Sequence, residues 1–264
     1  MIPKIIHYCW FGGKSIPNEV RQYIDSWKEK CPDYKIVQWD ENNFDINNTI
    51  SYVKEAYKCK KWAFVTDYVR LWVVYNHGGI YLDTDVELIK SMDALIQYDA
   101  FFGFERDKYI NTGLGFGAVR GCDLLKQMMD IYEKMHFASS SGEMNIITCP
   151  TINTKILMGV GMKQNGKTQI VNNCIFLGSE YLSPLDYVSG KLKVTDNTVS
   201  IHHYKASWMN ENERNNFDEQ NAFMSKYGEK LGKIFYILKS KGFLGLLNIS
   251  IKKIKRIKLK RIRK

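Results

Sequence analysis

Residues 75–87 read Tyr75-Asn76-His77-Gly78-Gly79-Ile80-Tyr81-Leu82-Asp83-Thr84-Asp85-Val86-Glu87. Paired glycines favour a turn, so Gly78-Gly79 ends whatever helix precedes them. Ile80–Leu82 is a short apolar run and predicts a buried strand. Asp83 and Asp85 follow at its carboxyl end, and side chains two apart on an extended segment point the same way. A chain with 15 aspartates holds about one Asp-x-Asp pair by chance, so the pair alone says little. Its position says more. Two carboxylates at a strand end make a hard oxygen site suited to Mg2+ or Mn2+, with a phosphate completing the shell.

Upstream, Lys61–Asn76 predicts a helix with Trp62, Val65, Val69 and Trp72 on one apolar stripe. Asp67 and Arg70 lie three apart on the opposite side. Read alone, they fit an exposed ion pair at least as well as a pair aimed into a cleft. Further out, Lys4–Trp10, Lys35–Trp39, Val86–Ile89, Ala100–Phe104 and Gly115–Val119 read as strands. Pro17–Lys30, Thr49–Lys58 and Gly121–Met135 read as helices, 138–150 as a loop, 169–201 as short strands and turns, and Asn210–Lys239 as a polar helix. Strands alternating with helices predict an α/β fold built on a mixed, mostly parallel central sheet flanked by helices. Ligands of such sheets gather beyond the carboxyl ends of the strands, where both Trp10 and the acid pair fall.

The 264 residues suit one large domain with a short appendage. The net charge is +10, and residues 251–264, IKKIKRIKLKRIRK, carry nine Lys/Arg and no acid, which leaves the rest nearly neutral. That excludes a globally basic nucleic-acid binder. Isoleucines interleaved with the basic residues predict an amphipathic tail, 241–264, lying on an anionic membrane surface beside a domain spanning 1–240. Lys4, His7 and Trp10 interrupt any leader-like apolar core, no run reaches a membrane-spanning length, and no two of the six cysteines lie within five residues. The expectation is a cytoplasmic protein with reduced thiols, peripheral on the inner face of the membrane.

Late in the chain, adjacent His202 and His203 point to opposite faces of a strand, so only one can join a given ion. The segments IPKIIHYCWFGG, AFVTDYVR, YNHGGIYLDTDVE and IHHYKASW, in that order, closely resemble the glycosyltransferase family 32 enzymes with their DxD sugar-binding region. That family includes capsular polysaccharide enzymes and yeast-type mannosyltransferases, and its core is similar to the bacterial glucosylating toxins. The resemblance covers about residues 1–210 and is most specific over 62–87.

The resemblance implies a GT-A-type nucleotide-sugar-binding fold and transfer of a hexose-type sugar, with retention, from a nucleotide sugar to a glycan. It implies Trp10 as the nucleobase platform, which favours a UDP-sugar. Asp67 and Arg70 would hold ribose or sugar, with Thr66 where Ser is usual, and Tyr81 lies in the matching segment. Asp83 would reach hydroxyls or metal-bound water and Asp85 would ligate Mn2+ or Mg2+. His202 is the expected late ligand, with His203 the alternative. Ser207 and Trp208 would close over the diphosphate, and Asn111 would touch the donor sugar. Asp83, Asp85 and Arg70 are the catalytic set. With the tail, this predicts a lipid-linked acceptor in bacterial surface or capsular polysaccharide synthesis. Two rivals stand beside it: a haloacid-dehalogenase-like phosphatase using Asp83-x-Asp85, and a non-catalytic membrane-bound glycan-binding protein.

Overall fold

The computed structural model describes residues 1–105, 108–138, 144–145, 147–205 and 211–243. The first elements are β1 (Ile5–Cys9), α1 (Asn18–Lys30), β2 (Lys35–Trp39), α2 (Ser51–Lys58), α3 (Trp62–His77), β3 (Gly79–Tyr81) and β4 (Val86–Leu88). Then come β5 (Ala100–Gly103), β6 (Phe116–Ala118), α4 (Asp123–Glu133), α5 (Cys149–Gly159), β7 (Gln169–Val171), β8 (Cys174–Leu177) and α6 (Ser179–Leu182). The last are β9 (Leu185–Asp186), β10 (Lys191–Leu192), β11 (Ser200–His202) and α7 (Glu211–Tyr227).

The central sheet has seven strands in the order β2-β1-β3-β6-β5-β8-β7. β1, β2, β3, β5 and β8 run one way, and β6 and β7 the other. This is the mixed, mostly parallel α/β sheet the sequence predicts. β4 pairs instead with β11, antiparallel, and β9 with β10.

Strand alternation sorts the core into two apolar clusters. Cys9, Tyr81, Ala100 and Phe102 join the cluster that takes Tyr52 and Val53 of α2, Val65 and Val69 of α3 and Leu125 of α4. Ile6, Tyr8, Ile80, Leu82 and Phe101 join the other, with Ile24 and Trp27 of α1. Neighbouring residues thus go to opposite clusters, as a pleated strand requires. Trp27 is fully buried, and its Nε1–H donates to the Val86 carbonyl at 2.7 Å. The Ser26 hydroxyl accepts the Leu88 N–H at 3.0 Å. α1 therefore fixes the segment just after the acid pair.

Gly78-Gly79 makes the turn from α3 into β3 with φ of +66° and +111°. A Cβ on Gly79 would lie 2.7 Å from the Ile5 carbonyl oxygen, so only glycine lets β3 close onto β1.

The structure differs from the sequence reading in four places. Asp83 and Asp85 sit on a turn, with the Val86 N–H donating to the Asp83 carbonyl at 3.1 Å, not on an extended strand. α5 begins at Cys149, inside a stretch read as loop, because Pro150 suits a first helical turn. α6 interrupts the strands and turns of 169–201. The polar helix ends at Tyr227, and a second helical run, 229–243, follows Gly228 at φ +78°.

By its contacts the chain divides into two units, Met1–Leu185 with Leu192–Trp208, and Asp186–Lys191 with Met209–Lys264. No helix of the described residues is long and apolar enough to cross a membrane.

His7, 1% exposed on β1, has both ring nitrogens engaged. The Trp39 Nε1–H donates to Nδ1 at 3.0 Å, and Nε2 lies 2.9 Å from the Gly78 carbonyl, to which it donates in the neutral form. Burial is the main cause that pushes its pKa down to about 4. The unfolded chain therefore takes up this proton first, and stability falls as pH drops from 6.5 towards 4. The loss from this group is at most about 3 kcal/mol. We expect urea titrations to record that loss in the wild type and a much flatter response in His7→Gln, whose amide keeps one donor and one acceptor.

Candidate active site

Helix α3 and strand β3 meet at a buried cation. Arg70 is 4% exposed and Asp67 8%, which rules out the exposed surface pair. The Arg70 Nη2 lies 3.3 Å from Asp67 Oδ1 and 3.4 Å from Asp83 Oδ1. Its guanidinium carbon stands over the Tyr81 ring, 5.1 Å from the centroid. Tyr81 in turn donates its hydroxyl to Asp83 Oδ1 at 2.9 Å. One turn of helix, one strand and the acid after it thus form a single charge network.

Burial disfavours the charge on Arg70, but Asp83 first, then Tyr81 and Asp67, hold its pKa well above the ordinary value. Burial pushes the Asp67 carboxyl up to about 6, against the pull of Arg70. Burial also raises Asp83, opposed by Arg70 and reinforced by the Asp85 carboxylate. Behind Asp67 lies the buried Cys149 thiol, raised far above its usual range, chiefly by burial. It stays protonated, its S–H turned to Asn111 Oδ1 at 4.0 Å, and its polarity beside Asp67 favours the carboxylate.

Asp83, Asp85 and His202 converge: a ligand atom from each lies within 4.8 Å of the others. The pairing of β11 with β4 brings this about, with His202 opposite Val86. The His202 Nε2 is 3.3 Å from Asp85 Oδ1. Asp85 is held from the other side, its Oδ2 accepting the Lys205 N–H at 2.9 Å and its carbonyl the His203 N–H at 2.9 Å. Two carboxylates and an imidazole fit a hard divalent ion such as Mn2+ or Mg2+. The mutual repulsion of the acids is what such an ion relieves.

His203, the alternative ligand, turns away. Its Nε2 pairs with Glu87 at 2.8 Å, and its ring stacks on Tyr23 at 4.7 Å. Trp10 stands half-buried just past β1, beside the strand that leads into Asp83. The Trp10 Nε1–H donates to the Lys14 carbonyl at 2.6 Å, which fixes the indole. Asn111 is occupied within its own turn, donating to Glu105 at 2.6 Å and accepting the Gly113 N–H at 2.7 Å. Ser207 and Trp208 lie outside the described residues.

Sequence reasoning overlooks the wall opposite Arg70. A Cβ on Gly113 would lie 2.5 Å from Asp83 Oδ2 and 3.2 Å from Arg70 Nη1, so this backbone presses directly on the charge network. α5 holds it there. Asn153 donates to the Thr112 hydroxyl at 3.0 Å, and the Thr154 hydroxyl accepts the Ile110 N–H at 2.8 Å. The alternating glycines of Asn111-Thr112-Gly113-Leu114-Gly115 are the signal that hints at a close backbone approach.

Residues 17–102 match the family model described as the glycosyltransferase sugar-binding region containing a DXD motif. An uncharacterized glycosyltransferase of Acanthamoeba polyphaga mimivirus is 29% identical over 196 residues, covering 72% of this chain and 76% of the viral one. Inositol phosphoceramide mannosyltransferase 3 of Schizosaccharomyces pombe is 32% identical over 111 residues, 38% of this chain. The match spans 29% of that yeast protein, less than a third of its length. Among solved structures, a glycosyltransferase involved in glycosylating the major capsid of PBCV-1 is 13% identical, with a TM-score of 0.47 over 78% of this chain and 95% of that one.

Replacing Gly113 with Ala must displace the Asp83 carboxylate, which Tyr81 and Arg70 otherwise pin. Supporting contacts of this kind typically weigh about tenfold or more in metal affinity. We expect Gly113→Ala to weaken Mn2+ binding about tenfold, read by electron paramagnetic resonance, with an unchanged circular dichroism spectrum. Equal affinity in the two proteins would mean that the Asp83 position is immaterial to the ion.

Proposed function

Because this chain is a glycosyltransferase of the DXD sugar-binding type, we propose that it moves a hexose-type sugar, with retention, from a nucleotide-sugar donor to a glycan with help from Mn2+ or Mg2+. The observation that carries this reading is the convergence of Asp83, Asp85 and His202 beside the buried Asp67–Arg70–Tyr81 group. The phosphatase and binding-protein rivals fall away with the enzyme class.

A divalent ion held by Asp83, Asp85 and His202 would supply charge neutralisation for a departing diphosphate. The remaining work belongs to the chain. Asp67 and Asp83 keep Arg70 charged and aimed, so its cation needs no reorientation when negative charge builds on the leaving group. One such preorganised donor is typically worth about 3 kcal/mol of barrier. Tyr81 orients Asp83, whose remaining acceptor capacity suits sugar or ribose hydroxyls. Trp10, fixed through Nε1, offers a flat face for a nucleobase, and we favour uracil. Asn111 shapes the donor-side wall, and Ser207 and Trp208, outside the described residues, are the pair we assign to closing over the diphosphate.

The acceptor we propose is lipid-linked, and the setting is bacterial surface or capsular polysaccharide synthesis on the cytoplasmic face of the membrane. The basic run 251–264 supports a surface location. The yeast relative, an inositol phosphoceramide mannosyltransferase, also supports a lipid-borne acceptor.

A panel of UDP- and GDP-sugars, assayed for Mn2+-dependent donor hydrolysis, tests the donor class, with UDP-sugars expected to turn over fastest. Asp85→Asn should cut that turnover by on the order of a hundredfold or more while the fold survives; full activity in this variant would defeat the metal assignment. Trp10→Ala should act differently, raising KM for the donor about tenfold with kcat nearly unchanged, because a stacking platform binds ground and transition states alike. A fall in kcat alone would remove Trp10 from the donor site.

A further inference from the structure

The second unit holds a surface that sugar transfer does not use. α7 and the helical run 229–243 fold back on each other at Gly228. Gly232 lies so close to α7 that a Cβ there would clash with the Met224 backbone. Tyr236 faces Phe223 at 6.4 Å, and Lys239 pairs with Glu219 at 2.5 Å. Gly232, Tyr236 and Lys239 therefore mark the side of the run turned to α7.

Another side of the same run is apolar and open. Leu231 is 55% exposed, Ile234 and Phe235 are each 39% exposed, and Leu238 is half-buried. Leu231, Ile234 and Leu238 recur at i, i+3 and i+7, one helical stripe, while the Phe235 ring packs edge-on against Tyr227 of α7 at 4.8 Å. Lys230 and Lys241 are exposed along the same run, Lys233 is exposed but pairs with Glu229 at 2.6 Å, and Phe243 is 67% exposed at its end. Single exposed apolar residues are ordinary, but a contiguous stripe edged by lysines marks a contact surface. The sequence beyond the run carries the nine basic residues and no acid of 251–264.

We propose that the 229–243 face is a membrane-binding surface, with Leu231, Ile234 and Leu238 entering the headgroup region of an anionic bilayer. Charge decides the occupant. A second copy laid on this stripe would bring the lysines and basic run of both chains together, and like charges repel. Nucleic acid would satisfy the cations but offers no apolar phase for the stripe. An anionic bilayer supplies both an apolar interior and negative headgroups. The lysines and the basic run add attraction from outside, while the stripe gives the binding a component that salt does not screen.

The test uses the full chain and vesicles of phosphatidylcholine with or without about a third phosphatidylserine. Wild-type protein should co-sediment with the anionic vesicles, and a remnant of that binding should persist at high salt. Leu231→Gln/Ile234→Gln leaves the basic run and the α7-facing side intact. It should lower the partition coefficient about tenfold, abolish the salt-resistant remnant, and leave solution donor hydrolysis unchanged. Wild-type-like partitioning of the double variant would overturn the proposal. So would a concentration-dependent dimer, seen by sedimentation without lipid, that the same substitutions disperse. Binding to RNA in place of vesicles would overturn it as well. Because donor hydrolysis is read separately, failure of the membrane face is distinguishable from failure of the transferase reading.

Discussion

Everything at the candidate active site leans on one buried guanidinium. Arg70 is almost fully enclosed, and an enclosed cation must be paired or the fold pays several kcal/mol. Asp67 on its own helix and Asp83 after β3 provide the pairing, and the Tyr81 ring covers its face. The constraint works in both directions. Arg70 is held charged by the acids, and Asp83 is held in one orientation by Arg70 and Tyr81. The site is consequently built before any ligand arrives, which is the condition for electrostatic stabilisation without reorganisation.

Around this centre, distant parts of the chain act as struts. α1 is tied to β4 through Trp27 and Ser26, and β4 carries β11, which delivers His202 to Asp85. His203 is drawn off by Glu87 and Tyr23, so two adjacent histidines acquire different jobs from the alternation of a strand. On the opposite wall, α5 grips Ile110 and Thr112 and sets Gly113 against the acids. Cys149, from the first turn of the same helix, backs Asp67 with a protonated thiol. Burial makes that thiol inert as a nucleophile and useful as a polar neighbour.

The two units divide the physical tasks. The first contains the sheet and the charge network. The second places apolar side chains in the open along a lysine-edged helical run. In the first unit burial keeps ions paired. In the second, exposure leaves apolar area available to a partner.

Local pattern was enough for the elements that punctuate themselves. Gly78-Gly79, the apolar Ile80–Leu82 and the stripe of Trp62, Val65, Val69 and Trp72 make α3 and β3 legible, and the apolar pattern of Lys35–Trp39 coincides with β2. The acid pair could be assigned to a strand end because strand and turn signals lie within a few residues of it. α5 is not legible in the sequence because its apolar periodicity is weak and its start falls in a polar stretch. The burial of Asp67 and Arg70 could not be read from their spacing, since an i, i+3 pair looks the same exposed or enclosed. The sequence by itself therefore determined the α/β class and the residue types for a charged site. Only the tertiary structure decided that β11 lies on β4, that His202 rather than His203 meets Asp85, and that Gly113 closes the wall. Those outcomes depend on contacts between segments 41 to 120 residues apart in the chain, and no local propensity encodes them.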